Sequence, residues 1–182
     1  MERLDRALGV PPIVTQPVND FCNVLTRSAK KRVETVLECF EQRFPQLGAV
    51  VAFCAPPEGI PLGAYTFWMF NHSQAVSALE AGSSNRLILV TLDPQRGSAS
   101  CMIGYGLEPF LTALDLQKCL EAGSSAFAAK EWVDGVMKVF QALDVLASRV
   151  CTSAAETYGW KGEVVHGPDD LDGESEQAVL SY

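Results

Sequence analysis

Leu87 to Leu92 is an apolar run of strand length, and Ala99 to Ile103 is a second such run only a short turn away. The first run is apolar enough for a strand covered on both faces. Asp93 to Gly97 is a hairpin turn, too short for the crossover that parallel neighbours require. These two strands must therefore be antiparallel. The second leads into Gly104-Tyr105-Gly106-Leu107-Glu108, and a helix is expected after Leu111. Any sheet that contains this hairpin cannot be purely parallel.

The remaining elements place the hairpin in a larger frame. Thr26 can cap a helix whose stripe is Val33, Val36, Leu37, Phe40 and Phe44. Pro45 and Gly48 end that helix. Gly48 to Ala55 is short, apolar and rich in valine, a central strand. Pro61 to Phe70 is a second helix, and Ala75 to Leu79 allows a turn or two more. Thr112 and Asp115 have capping-box spacing for the third helix. The fourth spans about Glu131 to Val150, with Trp132, Val136, Phe140, Leu143, Ala147 and Val150 on its buried face. Val18 to Thr26 is the approach to the first helix. The expected fold is a three-layer α/β/α sandwich with a mixed central sheet. Residues 1–17 form an irregular N-terminal arm, 18–150 the domain, and 151–182 an acidic, mobile tail.

A chain of 182 residues with 48% apolar content builds one globular core. Its net charge of −8 repels nucleic-acid phosphates, so no nucleic acid is expected as a partner. The longest strongly apolar run, Ala49 to Ala55, is too short to span a membrane. No leader pattern follows Met1. The expected setting is cytoplasmic, or else this is the soluble part of an envelope protein whose leader and anchor lie outside this sequence. Cys22, Cys39, Cys54, Cys101, Cys119 and Cys151 contain no CxxC pair and match no zinc spacing. Cys39, Cys54 and Cys101 fall in apolar patterns and are expected to pack as small hydrophobes.

Several motifs invite a sharper reading. Gly104-Tyr105-Gly106 lacks the third glycine of a dinucleotide loop, with Pro109 in its place. Backbone geometry at a strand end explains it better, with Tyr105 projecting at the loop edge. Arg27, Lys30, Lys31 and Arg32 oppose the helix macrodipole and form a solvated face, or else an anion contact. His72 and His166 are isolated, and neither an HExxH motif nor a nucleophile elbow occurs. The acids from Asp169 to Glu176 misplace the glycine of a calcium loop.

The order of these pieces resembles the TPM domain family. Val18-Asn19-Asp20 with Leu25-Thr26 is similar to its opening V-x-D…L-S, and Gly48-Ala49-Val50-Val51 to its first strand. Asn85 to Val90 is similar to D-N-G-V-L-L-L-V, Ile103 to Glu108 to V-G-Y-G-L-E, and Phe127 with Glu131 to Val136 to F-x-x-G-x-Y-x-x-G-L. The resemblance covers Val18 to Leu143. It implies an acidic site at loop ends that holds calcium, and in one branch an acid phosphatase activity. Carried over residue by residue, the candidate site is Asp20, Ser84, Asn85, Arg86, Tyr105, Glu108 and Asp115. Asp20, Glu108 and Asp115 would be the metal ligands. Ser84 stands where the family has aspartate, Arg86 where it has glycine, and Leu111-Thr112-Ala113 where it has L-P-D. Losing carboxylates weakens a hard-cation site. Arg86 adds a charge that can fill the vacated position by pairing with Asp20 or Glu108.

The reading that follows is a TPM-like, non-catalytic binding or accessory module with an eroded acidic metal site and an unidentified protein partner. The alternative is a calcium-assisted acid phosphatase acting on phosphomonoesters. A third option joins Arg86 and the Arg27–Arg32 cluster into an anion site.

Overall fold

A computed structural model describes residues 6, 8–10, 12–72 and 83–158. The element order is β1 (Val18–Asp20), α1 (Arg27–Arg43), β2 (Gly48–Phe53), α2 (Leu62–His72), a 3-10 turn (Ser83–Arg86), β3 (Leu87–Asp93), β4 (Ser98–Ile103), α3 (Ala113–Ala128) and α4 (Trp132–Tyr158). The sheet order is β1-β2-β3-β4. β1, β2 and β3 are parallel, and β4 is antiparallel to β3. The sheet is mixed, as the short hairpin turn requires.

Burial explains which strands are central. Every residue of β2 and β3 is buried, because both faces of these strands are covered. One face packs Ala49, Val51, Phe53, Ile88, Val90 and Leu92 against α1, α3 and α4. The other face packs Val50, Ala52, Leu87 and Leu89 against Trp68 and Met69 of α2. The result is the three-layer α/β/α sandwich. Val14 in the arm is 1% exposed and belongs to the α2-side core. The arm is thus irregular in conformation yet partly packed.

The caps fall where their side chains allow. Thr26 accepts from the Ala29 amide at 3.1 Å and starts α1. Thr112 and Asp115 form the full capping box of α3. Gly97 closes the β3–β4 turn at φ +62°, where a Cβ would lie 3.0 Å from the Phe127 carbonyl oxygen. That position therefore needs glycine for both its backbone angle and its space.

Three differences from the expected elements have physical causes. β1 is a strand, not merely an approach to α1. Its three residues are too few to show alternation, and Asn19 is buried only because its side chain bonds the backbone of Thr15 and Gln16. α4 does not end near Val150 but runs to Tyr158. Its apolar stripe stops at Val150, but no proline or glycine interrupts the chain before Gly159, so helix propensity carries on. Cys39 is exposed on α1, whereas Cys54 and Cys119 are buried and Cys101 is half-buried. The turn expected at Ala75–Leu79 and the acidic segment beyond Gly167 lie outside the described residues.

α3 and α4 meet around one ring. Phe127 is 1% exposed and sits between Gly123 and Gly135. A Cβ on Gly135 would lie 2.3 Å from the Phe127 ring. Gly135→Ala is therefore expected to cost about 1–3 kcal/mol by overpacking. Urea unfolding of the variant beside the parent measures this, and an unchanged midpoint would show that the helices separate freely here.

Candidate functional site

The sheet register decides which candidate residues can meet. Asp20 pairs with Phe53, and Phe53 pairs with Leu92. Gly48 pairs with Leu87. Arg86 immediately precedes Leu87, so Asp20 and Arg86 lie at opposite ends of the sheet. Five strand steps separate those ends, about 16 Å. Glu108 follows β4, whose Ile103 pairs with Ile88, and so belongs to the Arg86 end.

The carboxylates implied as ligands are thereby divided. Asp20 accepts from the Val24 amide at 3.2 Å and the Leu25 amide at 2.8 Å, tying the loop that leads into α1. Asp115 accepts from the Thr112 hydroxyl at 2.6 Å and pairs with Arg149 at 3.5 Å. The Thr112 side-chain and backbone hydrogen bonds hold the Asp115 carboxyl below the usual carboxylate range, with smaller help from Arg149. Glu108 is exposed and lines a groove beside β4. Asp20 cannot share an ion with the other two, which corrects the ligand set of Asp20, Glu108 and Asp115. Among the described residues no group of three or more His, Cys, Asp or Glu side chains is placed to hold a metal. The residues present do not fit the calcium site that the family resemblance implies.

Arg86 cannot pair with Asp20 for the same reason of distance, nor can it join the Arg27–Arg32 cluster. That cluster opens α1, next to the Asp20 end of the sheet. Its side chains are largely exposed, and Lys30 donates to Gln16 at 2.8 Å. It is a solvated face.

The Asp20 end is polar but internally satisfied. Asp93, 1% exposed, accepts from the Gln95 and Arg96 amides and forms an ion pair with Arg96 at 2.9 Å. Burial, then Cys22 and Asp93, pushes the Cys54 thiol up to about 12. Burial, with Asp20 and Asp93, raises Cys22 as well. Both sulfurs therefore stay protonated at neutral pH, which makes them poor nucleophiles and poor metal ligands.

The other end has the shape of a binding site. Ser84, Asn85 and Arg86 lie in the 3-10 turn before β3. The Gly106 amide donates to the Asn85 carbonyl at 2.8 Å, which locks the Gly104–Glu108 loop onto that turn. A Cβ on Gly106 would lie 2.8 Å from the same oxygen. Close backbone approach, with no positive φ, is thus the reason for this glycine. Tyr105 is 70% exposed at the loop edge, as expected from the strand-end geometry. Beneath the loop opens an apolar groove of about 330 Å³ whose walls include Leu47, Leu107, Phe110, Leu111, Ala147 and Val150. Arg86 stands in its wall, and no ion pair engages it among the described residues.

Of the expected site residues, the structure brings together Ser84, Asn85, Arg86 and Tyr105. It leaves Asp20 at the far end, while Asp115 serves as a cap and Glu108 turns to a neighbouring groove. Leu47, Ala147 and Val150 were not legible as site residues. They come from the α1–β2 connection and from α4, and in sequence they resemble any other core position.

No protein-family model matches the chain, and no curated protein does. Solved structures do. The N-terminal domain of a protein from P. gingivalis is 18% identical, with a TM-score of 0.59, and the match covers 78% of this chain and 85% of that one. The N-terminal domain of the cg2496 protein from Corynebacterium glutamicum is 14% identical, with a TM-score of 0.53, and the match covers 93% of this chain and 95% of that one. The likeness is one of fold. It agrees with the α/β sandwich built above, and no helix among the described residues is long and apolar enough to cross a membrane.

Two outcomes test this account. Gly106→Ala should destabilise the fold by about 1–3 kcal/mol, because loop and turn must part to admit the methyl group. Equilibrium denaturation measures it, and a neutral result would break the proposed lock. Asp115→Asn should lower the melting temperature at pH 7. The Asp115 pKa is lower folded than unfolded, so its contribution is present above the ordinary carboxylate range and fades as pH falls through the depressed value. Melting curves of both proteins should therefore converge in acid, and a gap that widened there would contradict the cap.

Proposed function

We propose that this chain is a TPM-type domain acting as a non-catalytic binding module. Its ligand is a partner peptide that lays apolar side chains in the groove under the Gly104–Glu108 loop and offers a carboxylate to Arg86. The observation that carries the reading is the coincidence at one place of an apolar groove and a cation without an ion-pair partner among the described residues. Burial of apolar side chains would supply affinity, and the Arg86 fork would supply orientation. Two of the departures from the family pattern, Ser84 and Arg86, lie in the turn that borders this groove. Replacing an acidic residue with serine and adding arginine changes a site suited to cations into one suited to an anionic group.

The calcium-assisted phosphatase reading needs Asp20, Glu108 and Asp115 around one ion, and the sheet register counts against that. It remains the alternative that experiment should address directly.

A calorimetric calcium titration is expected to show no saturable binding up to millimolar concentration, in the parent or in Asp20→Ala. Peptides selected by phage display against the domain should be apolar with an acidic residue, and should bind equally well in a chelator. Arg86→Glu should weaken them about tenfold or more, the range for losing a charge partner in a desolvated contact. Micromolar calcium binding that disappears in Asp20→Ala, with phosphomonoester turnover abolished by Asp20→Asn, would replace this reading with the enzyme.

A further inference from the structure

The groove under the Gly104–Glu108 loop is built partly on α4, and the chain that follows α4 has the chemistry to fill it. Leu107, Leu111, Ala147 and Val150 give the groove apolar walls, and Arg86 is its charge. α4 carries on past Val150 to Tyr158, about 12 Å along its axis. Residues 159–182 come next in the sequence. They hold six acids against one lysine, a net −5 of the chain's −8. Within them, Glu174-Ser175-Glu176-Gln177-Ala178-Val179-Leu180 sets two carboxylates beside three consecutive apolar residues. Glu163-Val164-Val165 is a poorer match, with one carboxylate and Lys161 close by. Residues 159–173 could span about 50 Å fully extended, several times the way back to Val150.

Charge selects this groove over two others. The groove between α1 and α4 holds Arg43, but Asp144 already pairs with it at 2.8 Å. The groove beside β4 has Glu108 as its charged wall residue, which repels an acidic segment. Arg86 has no ion pair among the described residues.

We infer that residues 174–180 bind in this groove of their own chain and compete there with the partner peptide. Ala178, Val179 and Leu180 lie on its apolar walls, and Glu174 or Glu176 meets Arg86. This contact rests on the groove being the binding site proposed above, and adds a way of regulating access to it. A tethered ligand acts at the effective concentration that its tether sets, so modest contacts suffice to occupy the site. A partner must displace the segment, and its apparent affinity falls with the fraction of chains whose groove is open.

NMR of the full chain tests this. The parent is compared with Val179→Asp/Leu180→Asp and with Glu174→Arg/Glu176→Arg. Each variant is expected to shift the Gly106 amide and the Leu107, Leu111 and Val150 methyl signals, equally at every protein concentration, because the ligand lies in the same chain. Peptides selected for the groove should bind each variant about tenfold or more tighter than the parent. Adding Arg86→Glu to the Glu174→Arg/Glu176→Arg chain should return the Leu111 and Val150 signals toward those of the parent, a rescue that needs direct pairing. Groove signals and peptide affinity that both ignore the variants would overturn the inference. If peptides still bound through Arg86 in that case, the binding-module reading would stand. Signals that move only at the Arg27–Arg32 end, or only as concentration rises, would also overturn it, by placing the segment elsewhere or in a second copy. Groove signals that follow the segment while no peptide binds would support the contact and sink the partner reading.

Discussion

The parallel pairing of β2 with β3 is the constraint on which the rest depends. Both strands are buried throughout, and every other element is placed by reference to them. Because Gly48 lies beside Leu87 and Phe53 beside Leu92, the connections split into two sets about 16 Å apart, the length of five strand steps. A one-residue slip would turn the whole apolar set of a strand to the other face, so this register is firmly held. Asp20 and Asp93 are fixed at one end. The turn before β3 and the loop after β4 are fixed at the other.

That split governs the chemistry. A hard-cation site needs several oxygen ligands within one coordination sphere. Here the acids are committed locally: Asp20 to the Val24 and Leu25 amides, Asp93 to the hairpin turn and Arg96, and Asp115 to the α3 cap. The groove end is different. Its walls are mostly leucine, phenylalanine, alanine and valine, joined by Gln46, Gly106 and Cys151, and its charge is a single arginine among the lining residues. The backbone bond from Gly106 to Asn85 holds the loop and the turn together, so the groove is preformed. A preformed apolar groove spends little ordering entropy on binding.

Much of the framework was legible in the chain. The Thr26 cap, the Thr112–Asp115 box and the β3–β4 hairpin rest on local hydrogen bonding and turn length, which neighbouring residues decide. The α/β/α layering followed from an apolar strand run flanked by amphipathic helices. Other features were hidden for equally plain reasons. β1 is too short to carry a pattern, and its buried Asn19 looks like a loop residue until its backbone partners are seen. Cys39 sits in an apolar stretch of α1, yet the helix turns it to solvent. α4 outlasts its stripe because helix propensity continues after packing stops. The site was half legible. The loop and turn residues were found, but Asp20 was grouped with them by the family resemblance, which follows motifs along the chain and carries no distance.

By itself, then, the sequence determined the kinds of element, their caps, the antiparallel hairpin and the acidic surface, because each depends on short-range bonding or on composition. Only the tertiary structure decided which loops share an end of the sheet, that the Asp20 and Glu108 carboxylates never meet, and that Leu47, Ala147 and Val150 complete a groove with Arg86 in its wall. It also placed β4 last in the sheet among the described residues. These are consequences of strand order and register. Residues far apart in the chain set them by packing against one another, and no local pattern records the result.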